Sequence, residues 1–60
     1  MIWTPYHILK KNNKDNENFG RELKEMLTKG FIIRRWSYEK NEYEYARVFA
    51  TSIKYKNFIM

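Results

Sequence analysis

The segment from Phe31 to Phe49 limits the available folds more than any other part of the chain. Its sequence, FIIRRWSYEKNEYEYARVF, contains six of the eleven aromatic residues and three of the four arginines. The side chains alternate as in a β-hairpin, and Asn is one of the few residue types that tolerate the positive φ of a tight turn. With Lys40 and Asn41 at the tip of a two-residue turn, the pattern pairs Tyr38 with Tyr43, Trp36 with Tyr45, and Arg34 with Arg47.

This register divides the hairpin side chains between two faces. One face receives mostly aliphatic and small side chains, those of Phe31, Ile33, Ala46, Val48 and Ala50. The other, which we call the aromatic face, receives Ile32, Arg34, Trp36, Tyr38, Tyr43, Tyr45, Arg47 and Phe49. Because small side chains let a helix approach closely, we expect a helix on the first face and an uncovered aromatic face.

One helix is predicted upstream of the hairpin, from about Asn16 to Lys29. Gly30 follows it at the position where a left-handed C-cap residue is favoured. Apolar side chains recur at helical spacing, at Phe19, Leu23, Met26 and Leu27. Charged side chains of alternating sign occupy successive i to i+4 positions from Glu17 to Lys29, so they can neutralise one another. We therefore expect this helix to cover the core and not to read DNA.

The residues before this helix divide into two parts. Met1 to Leu9 is rich in β-forming residues but contains Pro5, which lacks an amide donor and is tolerated mainly on an edge strand. Lys10 to Asn18 contains no apolar residue and is expected to form a solvated loop. The sequence therefore predicts an α+β fold of order β-α-β-β, a three-stranded antiparallel sheet with one helix packed on one face. The second hairpin strand should lie in the centre of the sheet.

Length and composition exclude several classes of protein. A chain of 60 residues forms one small domain, which buries only about 60% of the surface that its unfolded chain exposes. The chain has no cysteine, and its longest apolar runs are three residues, too short for a transmembrane helix. We expect a single domain over residues 1–60, located in the cytoplasm. Asn, Lys, Ile and Tyr make up 25 of the 60 residues, which is typical of AT-rich genomes, such as those of many phages.

No catalytic, cofactor or metal motif is recognisable. His7 is the only histidine, and it lies near Pro5 with no acid or cysteine close to it in the sequence. Three glutamates gather near the predicted turn, where carboxylates usually serve solubility, and the two glycines form no phosphate loop. We therefore expect neither enzymatic activity nor a bound cofactor.

The remaining signal is that of a binding surface. The net charge of +5 attracts polyanions, and exposed rings on a sheet can stack with unpaired bases. A small basic protein that binds single-stranded nucleic acid or RNA is therefore predicted. Its rings would be those of Trp36, Tyr38, Tyr43 and Tyr45, and its phosphate contacts would be Arg34, Arg47, Lys10, Lys11, Lys14 and Lys54.

Two alternatives use the same surface. Trp, Tyr and Arg also dominate protein interfaces, so the chain could be a phage-type regulator or inhibitor that seizes one host protein. The aromatic face could also pair with a second copy as a homodimer. A third reading is structural, in which the N-terminal strand, Trp3 and residues 57–60 cover the aromatic face as a second small core.

Overall fold

The central strand of the sheet is the second strand of the hairpin, as the sequence predicts. The computed structural model describes residues 2–48, and its sheet is antiparallel with the order β1-β3-β2. Its elements are β1 (Thr4–Pro5), α1 (Tyr6–Asn12), α2 (Phe19–Thr28), β2 (Ile32–Ser37) and β3 (Glu42–Arg47). The predicted α+β class and three-stranded antiparallel sheet are confirmed, and residues 2–48 contain two helices where one was expected.

The hairpin turn is longer than predicted. It spans four residues, 38–41, and pairs Ser37 with Glu42, Trp36 with Tyr43, Arg34 with Tyr45 and Ile32 with Arg47. The backbone N–H of Lys40 donates to the Oγ of Ser37 at 3.1 Å, which stabilises the turn, and Asn41 has the expected positive φ, 57°. The predicted pairs are therefore wrong by two residues, and Arg34 does not oppose Arg47. Because the shift is even, the side chains of Ile32–Ser37 and Glu42–Arg47 keep their predicted faces.

The N-terminal segment forms a two-residue edge strand followed by a helix. The strand predicted over Met1 to Leu9 is therefore confirmed only at Thr4–Pro5, and the loop predicted over Lys10 to Asn18 is confirmed only from Asn13 onwards. Only Thr4–Pro5 pairs with β3, opposite Tyr45 and Glu44. Pro5 is the N-cap of α1, with φ −61° and ψ 147°, a geometry that lets the chain leave the sheet and enter the helix. Met1 lies outside the described residues.

The helix predicted before the hairpin is confirmed as α2, although it begins three residues later than expected. Its C-terminus is a Schellman motif around Gly30, whose φ is 76°. There the N–H of Phe31 donates to the carbonyl of Met26 at 3.0 Å, and that of Gly30 donates to Leu27 at 3.2 Å. The glycine turns the chain directly into β2.

The helices cover the face that was expected to be open. The core consists of Leu9, Phe19, Leu23, Met26, Ile32 and Tyr45. Ile32 and Tyr45 belong to the aromatic face and are only 2% and 3% exposed, whereas Ile33 on the other face is 40% exposed. The prediction that α2 packs on the face with Ile33 and Ala46 is therefore wrong. A Tyr ring offers far more apolar surface for burial than an Ala methyl, which favours packing on the aromatic face.

The N-terminal helix, α1, contributes to the same core and packs beside α2. The ring of Tyr6 lies 6.0 Å from that of Phe19 and 6.2 Å from that of Tyr45, measured between centroids. Leu9, one turn later, is 1% exposed. Neither helix in residues 2–48 is long and apolar enough to cross a membrane.

Candidate nucleic-acid interface

The part of the aromatic face nearest the turn remains exposed, because α2 covers only the end that carries Ile32 and Tyr45. We call this exposed part the hairpin patch; it consists of Arg34, Trp36, Tyr38 and Tyr43. Trp36 is 41% exposed, Tyr43 is 37% exposed and Tyr38 is 90% exposed. Three large rings thus lie on the surface at one end of the hairpin.

The hairpin patch is held together by ring contacts. Trp36 and Tyr43 are opposite each other across the strands, and their rings meet edge to face, 5.0 Å apart at 85°. The guanidinium carbon of Arg34 lies 4.3 Å from the centre of the Tyr43 ring, within the range of a cation–π contact. No carboxylate among residues 2–48 forms an ion pair with Arg34. The patch therefore combines supported aromatic rings with a guanidinium that can still meet an anion.

A second group of basic residues lies on α1. His7, Lys10, Lys11 and Lys14 are spaced i, i+3, i+4 and i+7, so they share one side of the helix. Lys14 lies in the turn that follows α1, where its N–H donates to the carbonyl of Lys11 at 3.3 Å. With Tyr6, these side chains line a shallow surface groove, which we call the basic groove.

The three lysines of the basic groove have no carboxylate partner among residues 2–48. Glu25 forms an ion pair with Lys29, outside the groove, and Glu42 contacts the groove only at His7. Glu44 is paired with both Arg35 and Lys40. The groove therefore concentrates uncompensated positive charge, which favours the approach of an anion.

Glu42 connects the basic groove to the hairpin. Its Oε1 accepts the backbone N–H of His7 at 2.9 Å, and its Oε2 lies 2.7 Å from the Nδ1 of the same residue. Pro5 offers no side-chain cap, so the Glu42 carboxylate on the neighbouring strand β3 caps the first turn of α1. The hydrogen bond from the His7 backbone N–H is the main cause that lowers the pKa of Glu42. The ring of Tyr6, which lines the groove, lies 6.2 Å from that of Tyr45. Tyr45 is two residues from Tyr43 on the same face of β3, so the groove lies beside the hairpin patch.

The opposite face of the sheet carries a compensated charge network. Glu44 is only 6% exposed, and its two oxygens accept from Arg35 Nε at 3.1 Å and from Lys40 Nζ at 3.0 Å. These hydrogen bonds, that of Lys40 first, lower the pKa of Glu44. The Arg35 guanidinium also lies 4.1 Å from the centre of the Trp3 ring. Lys40 and Arg35 thus share one carboxylate partner, whereas the lysines of the basic groove have none among residues 2–48.

The structure groups most of the predicted site residues, although not on one continuous sheet face. Arg34, Trp36, Tyr38 and Tyr43 form the hairpin patch, and Lys10, Lys11 and Lys14 line the basic groove. The prediction that Tyr45 stacks with a base is wrong, because its ring is buried in the core. Arg47 is half-buried and lies four residues from Tyr43, roughly 13 Å along β3 at about 3.3 Å per residue. Lys54 lies outside the described residues.

Tyr6 and His7 are the site residues that the sequence analysis missed. The signal was present, since positions 7, 10, 11 and 14 have helical spacing and Tyr6 and Leu9 fall on the adjacent inward side. Pro5 is also typical of a helix start. The β-forming residue types at positions 2–4 and 6 obscured this pattern.

Searches against models of known protein families, curated protein sequences and solved structures returned no match. Among residues 2–48 there is also no group of three His, Cys, Asp or Glu side chains placed to hold a metal ion. Function is therefore argued from the residues of the site alone.

Proposed function

We propose that this protein binds single-stranded nucleic acid through the hairpin patch and the adjoining basic groove. The observation that carries the proposal is the set of three lysines, Lys10, Lys11 and Lys14, which have no carboxylate partner among residues 2–48 and lie beside exposed rings. Lysines without internal partners can release counterions from a phosphate backbone, which is the main source of affinity for nucleic acids.

The rings of the hairpin patch would receive the bases. Stacking of one base on an aromatic side chain contributes about 1 to 3 kcal/mol and does not depend on a particular base. Trp36 and Tyr38 offer the ring surface for this, while Tyr43 supports Trp36 from the neighbouring strand. Arg34, held over Tyr43, can bind the phosphate between two stacked bases.

Single strands fit this surface better than duplexes do. The bases of a duplex are stacked on one another, so their faces cannot reach the rings of Trp36 and Tyr38. The longer helix, α2, uses its apolar side for the core and pairs Glu25 with Lys29 at 2.8 Å on its surface. The basic side chains within α2, Arg21 and Lys24, belong to neither the basic groove nor the hairpin patch.

A protein partner is the second candidate. The observation in its favour is a groove between α2 and the hairpin, with apolar walls from Leu23, Leu27 and Tyr45 and with Lys24 and Arg34 among its lining residues. As a regulator or inhibitor, this protein could bind an apolar and acidic segment of one host protein in this groove, with Trp36 as a hot spot. Such a complex would depend only weakly on salt if its contacts are mainly apolar.

Salt-dependent binding to oligonucleotides separates these two candidates. Fluorescence anisotropy with labelled oligo-dT and oligo-U should show binding at low salt. The log of the affinity should fall against log salt with a slope of about −3, if Arg34 and the three lysines each neutralise one phosphate at about −0.7 per contact. The absence of any binding to DNA or RNA at low salt would refute the proposal.

Variants of this measurement separate stacking from charge. Lys11→Ala should flatten the slope by about 0.7, whereas Trp36→Ala should lose about 1 to 3 kcal/mol at an almost unchanged slope. Lys29→Ala is the matched control, because Lys29 is paired with Glu25 and lies outside both surfaces. An equal effect of Lys11→Ala and Lys29→Ala would mean that only the overall charge of the protein matters.

A further inference from the structure

The outer edge of β2 has no partner strand among residues 2–48. In the order β1-β3-β2, the long strand β2 (Ile32–Ser37) lies at the rim of the sheet. Its four middle residues, 33–36, are all exposed. An edge strand of this length offers unpaired backbone groups to another extended chain.

The hydrogen-bond pattern identifies which backbone groups point outward. The N–H of Val48 donates to the carbonyl of Phe31 at 3.0 Å, and these two residues continue the register of the hairpin. Residues opposite each other in an antiparallel ladder alternate between bonded and non-bonded pairs. Ile33 and Arg35 therefore direct their backbone groups towards β3, and Arg34 and Trp36 direct theirs to the outer edge. No backbone or side-chain group in residues 2–48 forms a hydrogen bond with these outward groups.

The side chains along this edge are basic on both faces of the sheet. Arg34 projects to the aromatic face and Arg35 to the opposite one, since successive residues of a strand alternate. A second copy of β2, paired antiparallel about Arg34 or Arg35, would place one of these arginines opposite itself. Like charges directly opposite each other destabilise a strand pair. An acidic segment, in contrast, would meet Arg34 on one face, which has no ion pair among residues 2–48. On the other face it would meet Arg35, which shares the single carboxylate of Glu44 with Lys40 and so leaves an excess of positive charge.

We propose that the outer edge of β2 binds an extended, acidic segment of a partner protein as a fourth strand. The outward groups of Arg34 and Trp36 supply the main-chain hydrogen bonds of this strand addition. Two consecutive acidic residues would place one carboxylate beside Arg34 and one beside Arg35. β-branched residues around them would pack against Trp36 and Ile33. This interaction does not need the basic groove, although it shares Arg34 and Trp36 with the hairpin patch.

Amide exchange of the full-length, ¹⁵N-labelled protein tests the proposal directly. In the free protein, the amides of Arg34 and Trp36 should exchange at least about tenfold faster than that of Arg35, which is bonded to β3. The probe is a capped peptide, Val-Thr-Val-Glu-Glu-Val-Thr-Val, at up to about 1 mM, a concentration suited to weak binding. Its addition should slow exchange at Arg34 and Trp36 and leave that of Arg35 almost unchanged.

Two control peptides separate backbone pairing from charge. A version with Lys-Lys in place of Glu-Glu should not bind, and a version that is N-methylated at alternate amides should lose binding although its charge is intact. Binding that survives N-methylation would overturn the proposal, because charge attraction alone would then explain it. Slow exchange at Arg34 and Trp36 in the free protein would also overturn the proposal. If this protection is independent of protein concentration, another part of the same chain occupies the edge. If the protection increases with protein concentration, a second copy of the protein occupies it.

A matched pair of variants tests the same edge from the protein side. Arg34→Ala removes the positive charge but keeps the outward backbone N–H. Arg34→Pro removes both the charge and this N–H. It leaves the hydrogen bonds between β2 and β3 in place, because proline is tolerated on edge strands. Arg34→Ala should weaken peptide binding severalfold and Arg34→Pro should abolish it. Equal binding by the two variants, once circular dichroism shows that both are folded, would overturn the proposal. If Arg34→Pro does not fold, the exchange measurements on the unmodified protein decide.

Discussion

Ile32 and Ile33 provide a sharp test of which sheet face the helices cover. They are the same residue type at adjacent positions, and they differ in exposure, 2% against 40%. Replacing Ile with Ala removes three carbon atoms, a loss of about 2.4 kcal/mol at about 0.8 kcal/mol for each buried methylene. At Ile32 the surrounding core leaves a cavity as well, so Ile32→Ala should cost about 3 to 4 kcal/mol. At Ile33, which water already reaches, the cost should be about 1 kcal/mol.

Urea unfolding followed by circular dichroism measures both values, and the slope of the transition should stay the same in both variants. A domain of this size has little stability to lose, so Ile32→Val, with an expected cost of about 0.5 to 1.5 kcal/mol, provides a milder form of the same test. A larger loss at Ile33 than at Ile32 would refute the reasoning, because the helices would then have to pack on the other face of the sheet.

Three further predictions concern the glycines of α2 and its C-terminus, the pH dependence of stability, and the hairpin patch. A methyl group at Gly30 would meet no atom within 4 Å, yet φ is 76° there, so Gly30→Ala should cost about 1 to 2 kcal/mol in thermal unfolding. Gly20→Ala, equally free of contacts but inside α2, should instead stabilise by about 0.5 to 1 kcal/mol; the same sign at both positions would contradict this. Because folding lowers the pKa values of Glu42 and Glu44, the unfolded chain binds protons more readily, and the melting temperature should fall as the pH drops through the folded pKa values. Glu44→Gln should make that fall smaller, and an identical pH profile would exclude the Glu44 network as its cause. Tyr38→Ala should leave stability within about 0.5 kcal/mol, since Tyr38 is 90% exposed, while weakening oligonucleotide binding.

The sequence predicted the local features that depend on a few neighbouring residues. The helix before the hairpin, the left-handed Gly30 at its end and the positive φ of Asn41 each follow from residue types and short-range spacing. The assignment of the strand side chains to two faces is also confirmed, because a register shift of two residues leaves each side chain on the same face. The prediction that the second hairpin strand lies in the centre of the sheet is also confirmed.

The candidate site could be predicted only in part from the sequence. Trp36 and Tyr43 were correctly assigned to one face, but nothing in the pattern distinguished their surroundings from those of Tyr45. The basic groove depends on α1, and its residues looked like a strand followed by a polar loop. A seven-residue helix is too short to be stable by itself, so tertiary contacts of Tyr6 and Leu9, and not intrinsic propensity, decide that it forms.

The sequence by itself determined that this chain forms a hairpin with one aromatic and one mixed face, preceded by an amphipathic helix. Only the tertiary structure decided which face the helix covers. Both choices satisfy the alternation, and the outcome depends on the total apolar surface that several elements bury together. Leu9 and Phe19, distant in sequence from Ile32 and Tyr45, make the aromatic face the more favourable one to bury. That choice confines the exposed rings to the end of the hairpin, beside the lysines of α1.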